Sequence, residues 1–171
     1  TQSQIAIFKE VTDIITSQFD YRILRHIANS AGISRFPEAQ FDMERVGIGL
    51  YGFSSVPQDK PHLQHVATLR TVITHIVEIG EGETVGYNRT YTAPAATKVG
   101  IIPIGYADGL APELGRNVGK VFINNQLVPI IGKICMDMTM FNLTGISAQE
   151  GDEVIVYGEQ NRIDDIAAQI G

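Results

Sequence analysis

The sequence predicts an α/β segment over residues 1–60 followed by an all-β domain of sandwich or barrel type over residues 61–171. Three observations predict it: helix and strand patterns alternate at the start, a Ser- and Pro-rich stretch follows, and period-two hydrophobicity then runs on without a helix until Ile163. Ile5, Ile7, Phe8, Val11, Ile14, Ile15 and Phe19 recur at spacings of three and four, the pattern of a helix burying one wide face. Tyr21 to Ala28 reads as a strand ending in the polar loop Asn29-Ser30-Ala31-Gly32, Pro37 to Ala39 as a helical turn, and Arg45 to Tyr51 as a second buried strand. Such alternation implies parallel strands with crossover helices, the last units of an α/β sheet or barrel. Two strands cannot close one.

Phe53 to Pro61, with Ser54, Ser55, Pro57 and Pro61, breaks regular structure and reads as a linker. Beyond it, Val66 to Val77 alternates as one strand with Ala67, Leu69, Thr71, Ile73, His75 and Val77 on a common side. Gly80-Glu81-Gly82-Glu83 turns the chain. Val99–Ile104, Val121–Ile123, Leu127–Ile131 and Val154–Tyr157 are further strands, with Asn124-Asn125 a two-residue hairpin turn, and Ile163 to Ile170 is helix-like. The chain starts inside an amphipathic pattern without a methionine and stops just after that last segment, so both ends are expected to be cut.

With 171 residues, 44% of them hydrophobic, the chain has material for a core. Its net charge of −6, from 13 basic and 19 acidic residues with no basic run, offers no general attraction to nucleic acid or anionic membranes, so small-molecule partners are expected. One cysteine, Cys135, cannot form an internal disulfide, and no apolar run approaches the length of a membrane span. A cytoplasmic setting is the expectation.

The chemistry is placed at Val85-Gly86-Tyr87-Asn88-Arg89-Thr90-Tyr91, where Gly86 and Asn88 flank a phenol and tolerate backbone conformations closed to most residues. A second group is His26-Ile27-Ala28-Asn29-Ser30-Ala31-Gly32, small polar residues at the C-terminal end of a parallel strand. A third is Arg45-Val46-Gly47-Ile48-Gly49. Ser30 with the Gly47 and Ile48 amides could cradle a phosphate without a basic side chain; the competing reading is an ordinary turn, with the glycines easing packing.

His26-Ile27-Ala28-Asn29-Ser30, Arg45-x-Gly47-Ile48, Gly86-Tyr87-x-x-Thr90-Tyr91, Ile104-Gly105-Tyr106-Ala107-Asp108-Gly109 and Gly132-Lys133-Ile134-Cys135-Met136-Asp137 follow one another in an order and separation that resemble the C-terminal half of alanine racemase, a pyridoxal-phosphate enzyme. The resemblance runs from about residue 20 to the end. It implies the end of a TIM-type β/α barrel followed by a β domain truncated at its C-terminus. It also implies a parent that interconverts L- and D-alanine through a carbanion, supplying D-alanine for peptidoglycan. Ser30, Gly47 and Ile48 would hold the cofactor phosphate with Asn29 beside them, and Arg45 would face the pyridine nitrogen. An arginine stays protonated and leaves that nitrogen neutral, a weaker electron sink that favours quick reprotonation. His26 would support Arg45, unless it is a structural histidine. Tyr87 would be one of two opposed acid/base groups, Met136 would bind the substrate carboxylate through its amide, and Tyr106 would narrow the entrance, unless it is a core aromatic. No metal is implied.

The family's cofactor-bearing lysine lies in a motif near the start of the full enzyme, and none of the five lysines, Lys9, Lys60, Lys98, Lys120 and Lys133, stands in that context. The chain alone is therefore expected to be inactive. Family members are head-to-tail homodimers, so Arg45 and Tyr87 would serve different active sites, and the barrel piece is expected to expose apolar faces. Two other readings compete: a non-catalytic dimerisation or binding module, and a decarboxylase on a related scaffold, which would pair the cofactor nitrogen with an acid where this chain has Arg45.

Overall fold

A computed structural model describes residues 1–171. The chain divides into two compact units, Thr1–Val66 and Ala67–Gly171.

In the first unit the opening apolar periodicity forms α1, Gln2–Thr16, but only Ile5 on it is buried. The wide face expected to be covered is open: Ile7 and Ile14 are each 60% exposed, and Val11, Ile15 and Phe19 are exposed as well. Polar ties hold α1 instead. Arg25 reaches Asp13 at 2.7 Å and Asp42 at 3.4 Å and lies over the Phe41 ring, which packs edge-on against Phe8. The two expected strands do not form. Residues 22–28 join no ladder, and the only pairing is one parallel bridge between Asn29 and Arg45. A parallel strand needs neighbours along its whole length, and these two segments meet at a single point. Ile48–Tyr51, freed from any ladder, closes into a 3-10 turn. Between the segments lie α2, Ser30–Arg35, capped by the Asn29 side chain on the Gly32 amide, and the expected turn at Pro37–Ala39. The Ser- and Pro-rich stretch folds back, burying Val56.

The second unit is mostly sheet. Its strands are β1 (Leu69–Val72), β2 (His75–Ile79), β3 (Thr84–Val85), β4 (Tyr91–Thr92), β5 (Thr97–Ile102), β6 (Lys120–Ile123), β7 (Gln126–Ile131), β8 (Thr139–Asn142) and β9 (Glu153–Tyr157), followed by α3 (Ile163–Ile170). Seven of them form one sheet in the order β1-β9-β6-β7-β8-β5-β2, with β3 and β4 a separate pair. The two edge strands are consecutive in the chain, joined only through Ile73 and Thr74, so the sheet must curl round on itself. The single strand expected over 66–77 is thus two. Inward residues run Leu69, Thr71, Ile73 and then Ile76, so His75 and Val77 face outward, against expectation. Ile73 bonds the Asp152 carbonyl and Thr74 the Ile101 carbonyl, which draws the chain from one neighbour to the other and shifts the phase.

Asn124 and Asn125, both at positive φ, make the expected tight turn between β6 and β7. β8 was not expected, because its Thr-Met-Phe run is buried without alternation. Nor is the unit free of helix before Ile163: single 3-10 turns stand at Tyr87–Arg89, Tyr106–Asp108 and Pro112–Leu114. The core gathers Ile102, Val121, Ile130, Phe141, Leu143 and Val154, all essentially inaccessible, and a smaller cluster of Val99, Ile131, Cys135 and Met140 packs under Val85 and Tyr91. No helix is long and apolar enough to cross a membrane.

Candidate active site

The second unit presents Tyr87 on the turn between β3 and β4, with the residue 65% exposed. Gly86 sits at φ 77° and Asn88 at φ 60°, so both residues singled out for conformational freedom use it. A methyl group on Gly86 would also press on the Lys133 amide nitrogen at 3.2 Å. The tyrosine turn therefore lies directly on the segment that leads to Met136. The flanking Val85 and Tyr91 pack on the small cluster containing Cys135, which anchors the turn from below.

The same segment carries the Tyr106 turn. The Tyr106 N–H donates to the Cys135 carbonyl and the Ala107 N–H to the Met136 carbonyl, each at 2.9 Å. Gly105 approaches so closely that any side chain there would overlap the Cys135 and Met136 carbonyls. Asp108 accepts from the Gly105 N–H at 2.9 Å and closes the turn. Tyr87, Tyr106 and Met136, far apart in sequence, are thus gathered on residues 132–136, and all three are open to solvent. The Met136 N–H donates to nothing in the chain. Gly105 and Asp108, which the sequence reading quoted in a motif without a role in the site, fix this arrangement. The Asp108-Gly109 pair, a turn signal in the sequence itself, was the available sign, and Gly109 takes the positive φ that such a turn uses.

Cys135 is buried in the smaller cluster, and burial together with nearby Asp137 pushes its thiol pKa up, which disfavours the reactive thiolate.

The first unit brings Ser30, Gly47 and Ile48 together. Ser30 Oγ accepts from the Gly47 N–H at 2.8 Å and the Gly49 N–H at 3.3 Å. Two amides fixing one hydroxyl leave its own proton free to point outward, and the neighbouring Ile48 N–H has no acceptor in the chain. Gly47 and Gly49 both face Ser30, and methyl groups on them would lie 3.9 and 3.5 Å from its Oγ. The result is a small, uncharged donor set that suits a phosphate group. Asn29 spends its side-chain oxygen on the Gly32 amide at 2.9 Å. Arg45 is exposed, and its guanidinium bonds the Ile27 carbonyl at 3.3 Å; no hydrogen bond joins it to His26, the exposed residue next to Ile27.

Comparison with known proteins gives one family throughout. The family described as "Alanine racemase, C-terminal domain" matches residues 66–171, and "Alanine racemase, N-terminal domain" matches residues 1–55. Alanine racemase 1 of Clostridium acetobutylicum is 40% identical over 156 residues, covering 86% of this chain and 40% of that protein. The alanine racemase of Aeromonas hydrophila is 35% identical across 100% of this chain and 47% of its own length. Among solved structures, alanine racemase from Bacillus anthracis with bound L-Ala-P superposes with a TM-score of 0.86 at 29% identity, covering 99% of this chain and 45% of that one. Alanine racemase from Bartonella henselae with covalently bound pyridoxal phosphate superposes at 0.79 with 30% identity, over 98% of this chain and 46% of that one. The chain spans under half the length of each of these relatives. On two domain matches that together span most of its residues, the chain belongs to the alanine racemase family.

Proposed function

We propose that these 171 residues are part of a pyridoxal-phosphate-dependent racemase that interconverts L- and D-alanine, the first unit being the end of its TIM-type barrel and the second its β domain. The observation that carries it is the gathering of Tyr87, Tyr106 and Met136 on one short segment, beside a family match that includes a relative holding this cofactor. When bound, pyridoxal phosphate supplies the electron withdrawal that makes the amino-acid Cα–H acidic. The chain's own residues do the rest. Ser30 O–H and Ile48 N–H donate to the phosphate, while Gly47 steadies Ser30. Arg45, permanently protonated, would face the pyridine nitrogen as a donor and so favour its neutral form.

Racemisation removes a proton from one face of Cα and returns one to the other, which requires two opposed groups. Tyr87 Oη, exposed and hydrogen-bonded to nothing in the chain, takes or gives the proton on its side. The Met136 amide holds the substrate carboxylate, and Tyr106 limits the entrance to a small side chain. The second group is a lysine that lies outside these residues. In a head-to-tail homodimer Tyr87 would act in the partner's barrel, so each subunit supplies half of two sites.

The test is alanine racemisation by the intact protein with added pyridoxal phosphate, with the 171-residue chain as control. Tyr87→Phe is expected to lose about 10²–10⁴-fold in at least one direction, the range of a positioned acid/base group. The isolated chain is expected to be silent. Full activity of Tyr87→Phe would remove Tyr87 from the mechanism, and an intact protein that neither binds the cofactor nor racemises would favour a binding module.

A further inference from the structure

Ser30 and Ser34 stand four residues apart on α2 and so share one face of it. Ser30 meets the Gly47 and Gly49 amides. Ser34 meets something that the phosphate reading leaves unexplained: its Oγ donates to Asp59 Oδ2 at 2.7 Å, and the same oxygen accepts from Ser54 Oγ at 2.8 Å. Ser54 in turn accepts from the Val56 N–H at 3.0 Å, and Val56 is buried, so Ser54 and Asp59 belong to a pinned loop. Arg35 adds a weaker tie to the Ser55 carbonyl at 3.4 Å. The two serine hydrogen bonds, and the nearby His62 and Arg35 charges after them, hold the Asp59 carboxyl pKa below its ordinary value, so it is an ionised acceptor near neutral pH. A cavity of about 270 Å³ takes part of its lining from both ties, Ser30 and Gly49 from one and Ser34, Ser54 and Asp59 from the other.

Both ties join α2 to the chain that follows Arg45. With the front tie alone, α2 could pivot about Ser30 and misdirect the hydroxyl proton. With both, the spacing of Ser30 O–H from the Ile48 N–H is fixed before any ligand arrives, which lowers the ordering cost of binding. We propose that Asp59 is a positioning residue for the phosphate cradle: it touches no ligand and acts by clamping Ser34 and Ser54 so that Ser30 and Ile48 stay aligned. This rests on the reading of residues 30 and 47–48 as the cofactor phosphate site.

The experiment is a titration of the intact apo-protein with pyridoxal phosphate and, separately, with pyridoxal, which lacks the phosphate, followed by absorbance. Asp59→Ala is expected to raise the Kd for pyridoxal phosphate about tenfold, the low end of what outer partners of a binding group carry at metal sites, and to leave the Kd for pyridoxal unchanged. Asp59→Asn keeps one acceptor oxygen and is expected to restore most of the loss. Ser34→Ala and Ser54→Ala should each give part of it. If Ser30→Ala weakens pyridoxal phosphate and Asp59→Ala does not, the cradle stands and the clamp is overturned. Equal weakening of both ligands by Asp59→Ala, without recovery in Asp59→Asn, means general loosening and also overturns it. A wild-type protein that binds both ligands alike overturns the cradle and the clamp together.

Discussion

The two units solve the problem of holding a site in opposite ways. In Ala67–Gly171 the site turns rest on a core of inaccessible side chains, and backbone contacts at Gly86 and Gly105 set their positions. In Thr1–Val66 the buried apolar residues are Ile5, Ala28, Ala39 and Val56, and alignment is left to polar ties around Arg25, Ser30 and Asp59. Apolar burial is non-directional and stabilises a unit as a whole, whereas hydrogen bonds fix direction but add little net stability when exposed. The second unit should therefore be the firm one in isolation, and the first should gain most from whatever covers α1.

The largest expected effect is at the centre of the firm unit. Phe141→Ala empties a fully buried site and should cost about 3–5 kcal/mol, read by denaturant unfolding of the chain. Next is Gly105→Ala, where the added methyl forces the turn off residues 135–136 at about 1–3 kcal/mol, and the racemase activity proposed for the intact protein should fall with it. In the other unit, Ile14→Ser should change the stability of this chain by no more than about 0.5 kcal/mol, because the side chain is exposed. The same change in the intact protein should cost about 1.5–3 kcal/mol if that face is covered there. Equal effects in the two settings would break the contrast between the units.

The smallest effect is one of pH. Glu150 accepts from the Ile76 N–H at 3.1 Å and contacts His75 Nδ1 at 2.9 Å, and these, the amide first, lower its carboxyl pKa. A carboxyl lowered in the folded state contributes stability that is present above its unfolded pKa and lost as pH falls through the folded one. The melting temperature of the chain should thus drop slightly more on acidification for wild type than for Glu150→Gln.

Much of the second unit was legible because its signals are local. Asn124-Asn125 can adopt the positive φ that a tight hairpin needs, and Gly86 and Asn88 announce the tyrosine turn in the same way. β8 was hidden because burial on all sides of Met140 and Phe141 erases alternation. The phase change at Ile73–Thr74 was hidden because it depends on carbonyls of Asp152 and Ile101, remote in sequence. In the first unit, α1 was legible as a helix but its exposure was not, since an apolar stripe states what a helix could bury and not what is there to bury it. Residues 22–28 and 45–51 carry strand composition without the partners a ladder requires. The candidate site was legible as motifs. That Tyr87 and Tyr106 share the 132–136 segment came only from the fold.

The two-residue passage through Ile73 and Thr74 also bears on how the sequence can change over time. The Asn124-Asn125 loop closes a single hairpin, and lengthening it would give up little beyond the Asn124 side-chain bond to the Ser147 carbonyl. An insertion between Val72 and His75 has no such freedom. One extra residue there would reverse the facing of every β2 side chain against β5, from His75 opposite Ile101 to Ile79 opposite Thr97. β5 leads directly to Gly105 and Tyr106, so the disturbance would reach the entrance of the site from a corner that touches none of its residues. Related sequences should vary in length freely at 124–125 and hold their length across 73–74.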